Sequence, residues 1–129
     1  DSANAILVAG KARDGEVAPV ALCLVLATQR LDVNGTVRRR LGTRKASFAS
    51  ADETTRITGM QIGGVTPFGL PAGCNIPIWI DTAVMARSRV VVGGGSRDRK
   101  LLLPPAGLLA LPYAESVEGL ARPIPPIVT

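Results

Sequence analysis

The sequence contains no histidine among its 129 residues. Without an imidazole group, general acid–base catalysis by histidine, Ser-His-Asp and Cys-His arrangements, and most zinc and iron sites are excluded. Any catalysis would have to use backbone amides, carboxylates, lysine or arginine, hydroxyl groups or the substrate itself. We therefore expect neither a metal ion nor a cofactor.

Aromatic residues and cysteines are also scarce. Aromatics make up 3% of the chain, so the core must be built from the aliphatic part of its 47% hydrophobic residues. The two cysteines, Cys23 and Cys74, form neither a disulfide framework nor a CxxC metal pattern. Cys23 lies in an apolar run and is expected in the core, whereas Cys74 lies in a loop rich in glycine and proline. Together these features favour a cytoplasmic protein.

Long hydrophobic runs are missing as well. The longest apolar run, Val17–Ala27, contains Pro19 and is about half as long as a membrane-spanning helix. No signal peptide is visible, so we expect no membrane contact. The length suits a single domain over residues 1–129. Because the chain starts without methionine and opens on an apolar strand, we expect a preceding segment to be missing.

The charge is clearly basic. Fifteen lysines and arginines against ten acidic residues give a formal net charge of +5, and twelve of the fifteen cations are arginines. Since a guanidinium group binds phosphate in a bidentate manner, a nucleic acid is one partner that this charge indicates; a solvated basic surface is the alternative. Five cations fall within eight positions, namely Arg38, Arg39, Arg40, Arg44 and Lys45.

Short strands interleaved with short helices predict an α+β domain with a mixed, curved sheet. Capping residues Asp32 and Ser50 predict two helices, which Gly42 and Gly59 end. The strands are predicted at Ala5–Ala9, Pro19–Leu26, Lys45–Ala49, Ile76–Asp81, Arg89–Val92 and Lys100–Leu103. The tail from Pro112 contains four prolines and is expected to pack over the surface.

A long loop rich in glycine and proline, Gly59–Asn75, follows the second helix, and loops of this length inside a domain are often functional. Its segment Gly63–Pro67 has the pattern GxxxP. Backbone N–H groups around such a turn can hold an anion or a developing oxyanion. In contrast, Gly93–Lys100 lacks the GK[ST] ending of a phosphate-binding loop, and a structural turn is favoured there.

The order of these segments resembles the YbaK/ProX family, free-standing relatives of the editing domain of bacterial prolyl-tRNA synthetase. The similarity is carried by Gly59–Gly69, Ile76–Asp81 and Val90–Gly95, and it extends from Asn4 to about Leu111. It implies a single α+β domain with a mixed, barrel-like sheet and short helices packed outside it. Members of the family also have a segment before the first strand that helps to wall the pocket, and this sequence lacks it.

The resemblance further implies hydrolysis of the ester that joins a wrongly attached amino acid to the 3′-terminal adenosine of a tRNA. The implied catalytic residues are those of the GxxxP loop, Gly63, Gly64, Val65, Thr66 and Pro67. Substrate binding is expected from Asn4, Gly59 and Lys100, and tRNA binding from the five clustered cations. An aminoacyl-tRNA synthetase is a further partner that the family suggests. We expect the loop amides to face a pocket with Asn4 opposite.

Several alternatives stay open. Many family members carry a functional lysine where this chain has Asn4, and an asparagine there permits a non-catalytic tRNA- or synthetase-binding module of the same fold. Asn4 could equally be a strand-start cap, Lys100 a solvated lysine, and the clustered cations a solvated helix face. A small-molecule esterase is disfavoured because no activated nucleophile is visible. Asp81 is expected to be structural, as a cap of a helical turn at Thr82–Ala86.

Overall fold

Strands and short helices alternate along the chain in a computed structural model that describes residues 2–12, 14–71, 75–96 and 98–124. The strands are β1 (Ala3–Gly10), β2 (Val20–Leu26), β3 (Gln29–Leu31), β4 (Ala46–Phe48), β5 (Ile78–Asp81), β6 (Val90–Gly93), β7 (Lys100–Leu103), β8 (Ala114–Val117) and β9 (Ala121–Pro123). The helices are α1 (Arg38–Leu41), α2 (Ala51–Thr58), α3 (Thr82–Met85) and α4 (Ala106–Leu109). Cys74, which the sequence places in a loop, lies outside the described residues.

The main sheet has five strands in the order β4-β1-β2-β5-β8. β1 pairs antiparallel with β2 and β4, whereas β5 pairs parallel with β2 and β8. Two further pairs, β3-β9 and β6-β7, form separate two-stranded sheets, and β6 is joined to the start of β1 by a parallel bridge between Ser2 and Val91. The predicted α+β class with a mixed sheet and short helices is confirmed.

Strand β2 explains why the chain can fold with few aromatic residues. Its alternating side chains enter two different cores, with Leu22 and Leu24 on one face and Cys23 and Val25 on the other. A central strand that is covered on both faces needs a continuous apolar run rather than an alternating pattern. Cys23 is fully buried. Burial raises the pKa of its thiol to about 12, although the positive charge of Arg40 acts in the other direction and lowers it. The expected core cysteine is therefore an unreactive thiol.

The prediction that the tail from Pro112 packs over the surface is wrong for residues 114–123, while residues 125–129 lie outside the described part of the chain. Residues 114–117 form β8, an edge strand of the main sheet, and residues 121–123 pair with β3. The carboxylate of Asp81 holds this region in place through two hydrogen bonds of 3.0 Å. Its Oδ1 accepts a hydrogen bond from the N–H of Ala121, and its Oδ2 accepts one from the N–H of Ala83. Asp81 is thus a structural cap of α3, as expected, and also an anchor for the returning chain.

Both capped helices form, and one differs from the prediction. Ser50 accepts a hydrogen bond of 3.1 Å from the N–H of Glu53 at the start of α2. The segment after Asp32 is a π-helical turn over Val33–Val37 that continues into α1. Burial raises the pKa of Asp32, but hydrogen bonds from Thr36 and the charge of Arg122 outweigh it, and the net pKa is lowered. Within the described residues, no helix is long and apolar enough to cross a membrane.

Candidate active site

The candidate site lies on an open stretch of the outer edge of β1. β4 covers this edge at residues 8–10, and the pairing ends with a hydrogen bond of 2.9 Å from the N–H of Ala49 to the carbonyl of Leu7. At the far end, the bridge between Ser2 and Val91 joins β6. Between these points, at residues 3–6, no strand of the described chain pairs with the outer edge.

The backbone of Ala5 faces this opening. The N–H and C=O groups of successive residues in a strand point to opposite edges. The carbonyl of Leu7 points to the outer edge, and that of Ser2 accepts a hydrogen bond of 2.8 Å from Ala27 on the opposite edge. Because Ala5 is two residues before Leu7, its N–H and C=O point to the outer edge. Among the described residues, no strand pairs with this donor and acceptor of Ala5.

Two adjoining cavities fill the opening. The first, which we call the polar lobe, has a volume of about 280 Å³ and is lined by residues including Asn4, Gly63, Gly93 and Lys100. The second, the apolar lobe, has a volume of about 250 Å³ and lies beside Phe48. The residues that both lobes share are Ala5, Ile6, Ile62 and Val65. The polar lobe therefore brings together Asn4, the GxxxP loop and Lys100.

Three successive carbonyls of the GxxxP loop are held from outside by the β6-β7 hairpin. The ammonium group of Lys100 donates to the carbonyl of Gly63 at 3.0 Å, and the N–H of Gly95 donates to that of Gly64 at 2.9 Å. The third carbonyl, of Val65, packs so closely on Gly93 that a Cβ there would lie 2.3 Å from the oxygen. The glycine-rich turn is therefore structural, as favoured, and its role is to fix the loop.

The loop amides are used unequally. The N–H of Gly64 donates to the carbonyl of Gln61 at 2.9 Å, so the expectation that every amide here faces the pocket is wrong. Among the described residues, the N–H groups of Gly63, Val65 and Thr66 make no hydrogen bond to another backbone group. Gly63 adopts a φ of 96°, in the left-handed region that favours glycine. Of these three residues, Gly63 and Val65 line the polar lobe, so their N–H groups are the candidates for binding a ligand there.

The other predicted site residues lie apart from the polar lobe. Thr66 is buried, and its hydroxyl accepts from the N–H of Phe68 at 3.3 Å. Pro67 lines a different cavity, of about 300 Å³, beside Tyr113. Gly59 is not among the described residues that line either lobe; it ends α2 with a φ of 74° and an N–H bond to Thr55. Gly59 is thus the C-terminal cap of α2, and its predicted role in substrate binding stays a prediction.

The five clustered cations do not share one free face. Arg38 donates to the carbonyl of Asn34 at 2.9 Å. Arg40 forms an ion pair of 2.6 Å with Glu115, and its guanidinium group lies 4.9 Å from the ring centre of Trp79. These contacts engage Arg38 and Arg40 within the fold, and their predicted role in tRNA binding stays a prediction. Arg39, Arg40, Arg44 and Lys45 are exposed, and of these Arg39, Arg44 and Lys45 make no side-chain hydrogen bond or ion pair to another described residue.

Several wall residues were missed as site residues. Gly93, inside a run of valines, carried a usable signal, because glycine within a strand often marks a close backbone approach. Ile62, Phe48 and Thr54 carried none, since their positions depend on how the loop, β4 and α2 pack around β1. In the described part of the chain, no group of three or more potential metal ligands occurs.

An α+β domain with this loop and cavity is typical of the class of editing domains, and a comparison of the sequence with known families agrees with this class. The aminoacyl-tRNA editing domain family matches residues 2–111. Because this match spans most of the chain, the protein belongs to the aminoacyl-tRNA editing domain family. The resemblance inferred from the sequence is thereby confirmed.

Solved structures share the fold. The hypothetical protein APE2540 has a TM-score of 0.78 at 24% identity, covering 94% of this chain and 74% of its own. A candidate trans-editing enzyme for prolyl tRNA synthetase has a TM-score of 0.73 at 29% identity, covering 90% and 68%. A scaffold protein from computational epitope grafting has a TM-score of 0.72 at 27% identity, covering 89% and 71%. A comparison with curated proteins gave no match.

Proposed function

We propose that the chain is an aminoacyl-tRNA deacylase that acts in trans and hydrolyses the ester of a mischarged tRNA. The observation that carries this proposal is the polar lobe, where the GxxxP loop, Asn4 and Lys100 meet beside an open strand edge. Membership of the editing domain family supports the same activity. The similar structure of a candidate trans-editing enzyme supports action on a separate tRNA.

In the proposed reaction, water adds to the carbonyl carbon of the aminoacyl ester, and the ribose oxygen leaves with a proton. The negative charge that develops on the carbonyl oxygen is stabilised by the N–H groups of Gly63 and Val65, which line the polar lobe. One such donor contributes about 3–4 kcal/mol to barrier lowering. Lys100 keeps the loop in place through Gly63. Asn4 can orient the carbonyl or the terminal ribose by hydrogen bonds. A hydroxyl of that ribose can help to activate the water, since the chain has no histidine.

The test is a panel of tRNAs charged separately with alanine, serine, threonine, cysteine and proline. We expect the chain to release at least one of these amino acids faster than buffer does. The second candidate, a tRNA- or synthetase-binding module without turnover, is favoured by Asn4, which cannot supply the charge of a lysine. Binding of these tRNAs without acceleration of any release would support that module and contradict the deacylase.

We further propose that Arg39, Arg44 and Lys45 bind the phosphate backbone of the tRNA. Arg44 and Lys11 line a polar groove of about 390 Å³, which lies beside the end of α1. Replacing Arg39, Arg44 and Lys45 with alanine should weaken tRNA binding. The slope of log K against log salt should fall by about 0.7–0.9 for each phosphate group that the variant no longer neutralises. Hydrolysis of a minimal aminoacyl-adenosine ester should be unchanged.

A matched control removes the same charge elsewhere, through alanine at the exposed positions Arg30, Arg56 and Arg89. We expect this control to keep most of the affinity and the salt slope of the native chain. Equal effects of the two triple variants would mean that net charge alone attracts tRNA. An unchanged salt slope in the first variant would direct the search for the RNA surface to Arg99 and Lys100.

A further inference from the structure

The apolar lobe has one polar side chain among the described residues that line it. Thr54 is 3% exposed and projects from α2, and the remaining walls are hydrocarbon. The residues that form these walls include Leu7, Phe48 and Ala49 together with the four that both lobes share. An uncharged side chain of moderate size can enter such a space, whereas a charged one would lose its hydration without a partner.

The Thr54 hydroxyl is available to a ligand although the backbone of Thr54 is engaged. Its N–H donates to the carbonyl of Ser50 at 2.9 Å, and its own carbonyl accepts from the hydroxyl of Thr58 at 2.7 Å. Within the described chain the structure shows no hydrogen bond of the Thr54 hydroxyl. Because Thr54 lines the cavity, a ligand group that enters the apolar lobe can pair with this hydroxyl.

The two lobes are arranged so that one aminoacyl group can occupy both. They share Val65, which belongs to the GxxxP loop, and Ala5, whose backbone faces the opening. With the scissile carbonyl against the loop in the polar lobe, the amino-acid side chain would pass Val65 into the apolar lobe. Its far end would then approach α2 and the Thr54 hydroxyl.

We propose that Thr54 is a specificity-determining residue, whose hydroxyl makes the apolar lobe prefer hydroxyl-bearing side chains to apolar ones of the same shape. This inference rests on the proposed function, because it assigns the apolar lobe to the side chain of the scissile ester. A threonyl side chain can pair with Thr54, whereas the isosteric valyl side chain places a methyl group there and leaves the hydroxyl unpaired. A site that hydrogen-bonds a hydroxyl discriminates against analogues that lack it.

The test measures binding of two non-hydrolysable adenosines, 3′-deoxy-3′-(threonylamino)adenosine and its valyl counterpart, to the whole chain. The native chain should bind the threonyl compound about tenfold more tightly, as expected for one hydrogen bond. Thr54→Val should abolish this preference. The control is Thr55→Val, an exposed neighbour on the same helix, which should keep it. Because the readout is a ratio between two ligands, a change in the folded fraction affects both alike.

The outcomes separate this inference from the proposed function. Equal threonyl-to-valyl ratios in the native chain and in Thr54→Val would overturn the role of Thr54, as would failure of both compounds to bind. A preference that depends on Thr54, found together with no hydrolysis of any charged tRNA, would support the side-chain lobe and contradict the deacylase. Hydrolysis of a charged tRNA, together with a threonyl-to-valyl ratio that Thr54→Val leaves unchanged, would support the deacylase and overturn the role of Thr54.

Discussion

Replacing Gly63 with alanine should slow aminoacyl-tRNA hydrolysis by about a hundredfold or more, the usual effect of displacing an oxyanion donor. Gly63 lines the polar lobe at a φ of 96°, where an alanine is strained, so the variant should shift the loop and its amides. The left-handed conformation costs alanine about 1–2 kcal/mol. The measurement is the single-turnover rate constant of hydrolysis, with tRNA affinity determined in parallel and expected to be unchanged.

Gly69→Ala is a matched control within the same loop. Gly69 has a φ of 77°, and a Cβ there would meet no atom within 4 Å, so the conformational strain is similar without a collision. It is not among the described residues that line the polar lobe. We expect this variant to lose comparable stability and to keep its hydrolysis rate. A Gly63→Ala chain as fast as Gly69→Ala would remove the loop from the proposed chemistry.

The second large effect is expected at Gly93, which touches the loop from outside. An alanine there would place Cβ 2.3 Å from the carbonyl oxygen of Val65, and the obstacle is backbone, so the loop must move. Such overpacking costs about 1–3 kcal/mol in unfolding free energy. A displacement of roughly 1 Å in a catalytic group can cost a hundredfold in rate. At assay temperatures below its melting temperature, the Gly93→Ala variant should therefore be folded but should have lost most of its rate of hydrolysis.

Gly107→Ala serves as the control for Gly93. It lies on α4, and its Cβ would meet a flexible atom, Cδ1 of Leu103, at 3.3 Å. Alanine is a better helix former than glycine, so we expect unchanged or higher stability and native hydrolysis. Full activity of Gly93→Ala at native stability would show that packing against Gly93 does not position the loop.

The parts of the fold that follow local chemistry were predictable from the sequence. The apolar run of β2, the capping box of Ser50 and the glycine that ends α2 each describe a structure made by neighbouring residues. Strands β8 and β9 were not predictable in this way. They have four and three residues, two of which are exposed in each strand. Each forms because β5 or β3 offers an edge elsewhere in the chain.

In the candidate site, too, the features set by neighbouring residues could be predicted and those set by distant residues could not. Its loop could be found because glycines and a proline at fixed spacing describe a turn and match a known family. The ion pair of Arg40 could not be predicted, because its partner Glu115 is 75 residues away. Thr54 could not be singled out, because a threonine inside a capped helix has no local feature that indicates a cavity wall. Only the packing of α2 beside β1 makes it part of the site.

The most direct test of the central claim is a crystal structure of the chain with 3′-deoxy-3′-(alanylamino)adenosine, in which an amide replaces the scissile ester. We expect the acyl carbonyl oxygen within about 3.2 Å of the N–H group of Gly63 or Val65. The adenosine should lie beside Asn4 and Lys100. Binding of the compound in the cavity beside Tyr113, or in the groove beside Lys11, would contradict the claim that this loop holds the aminoacyl end of a tRNA.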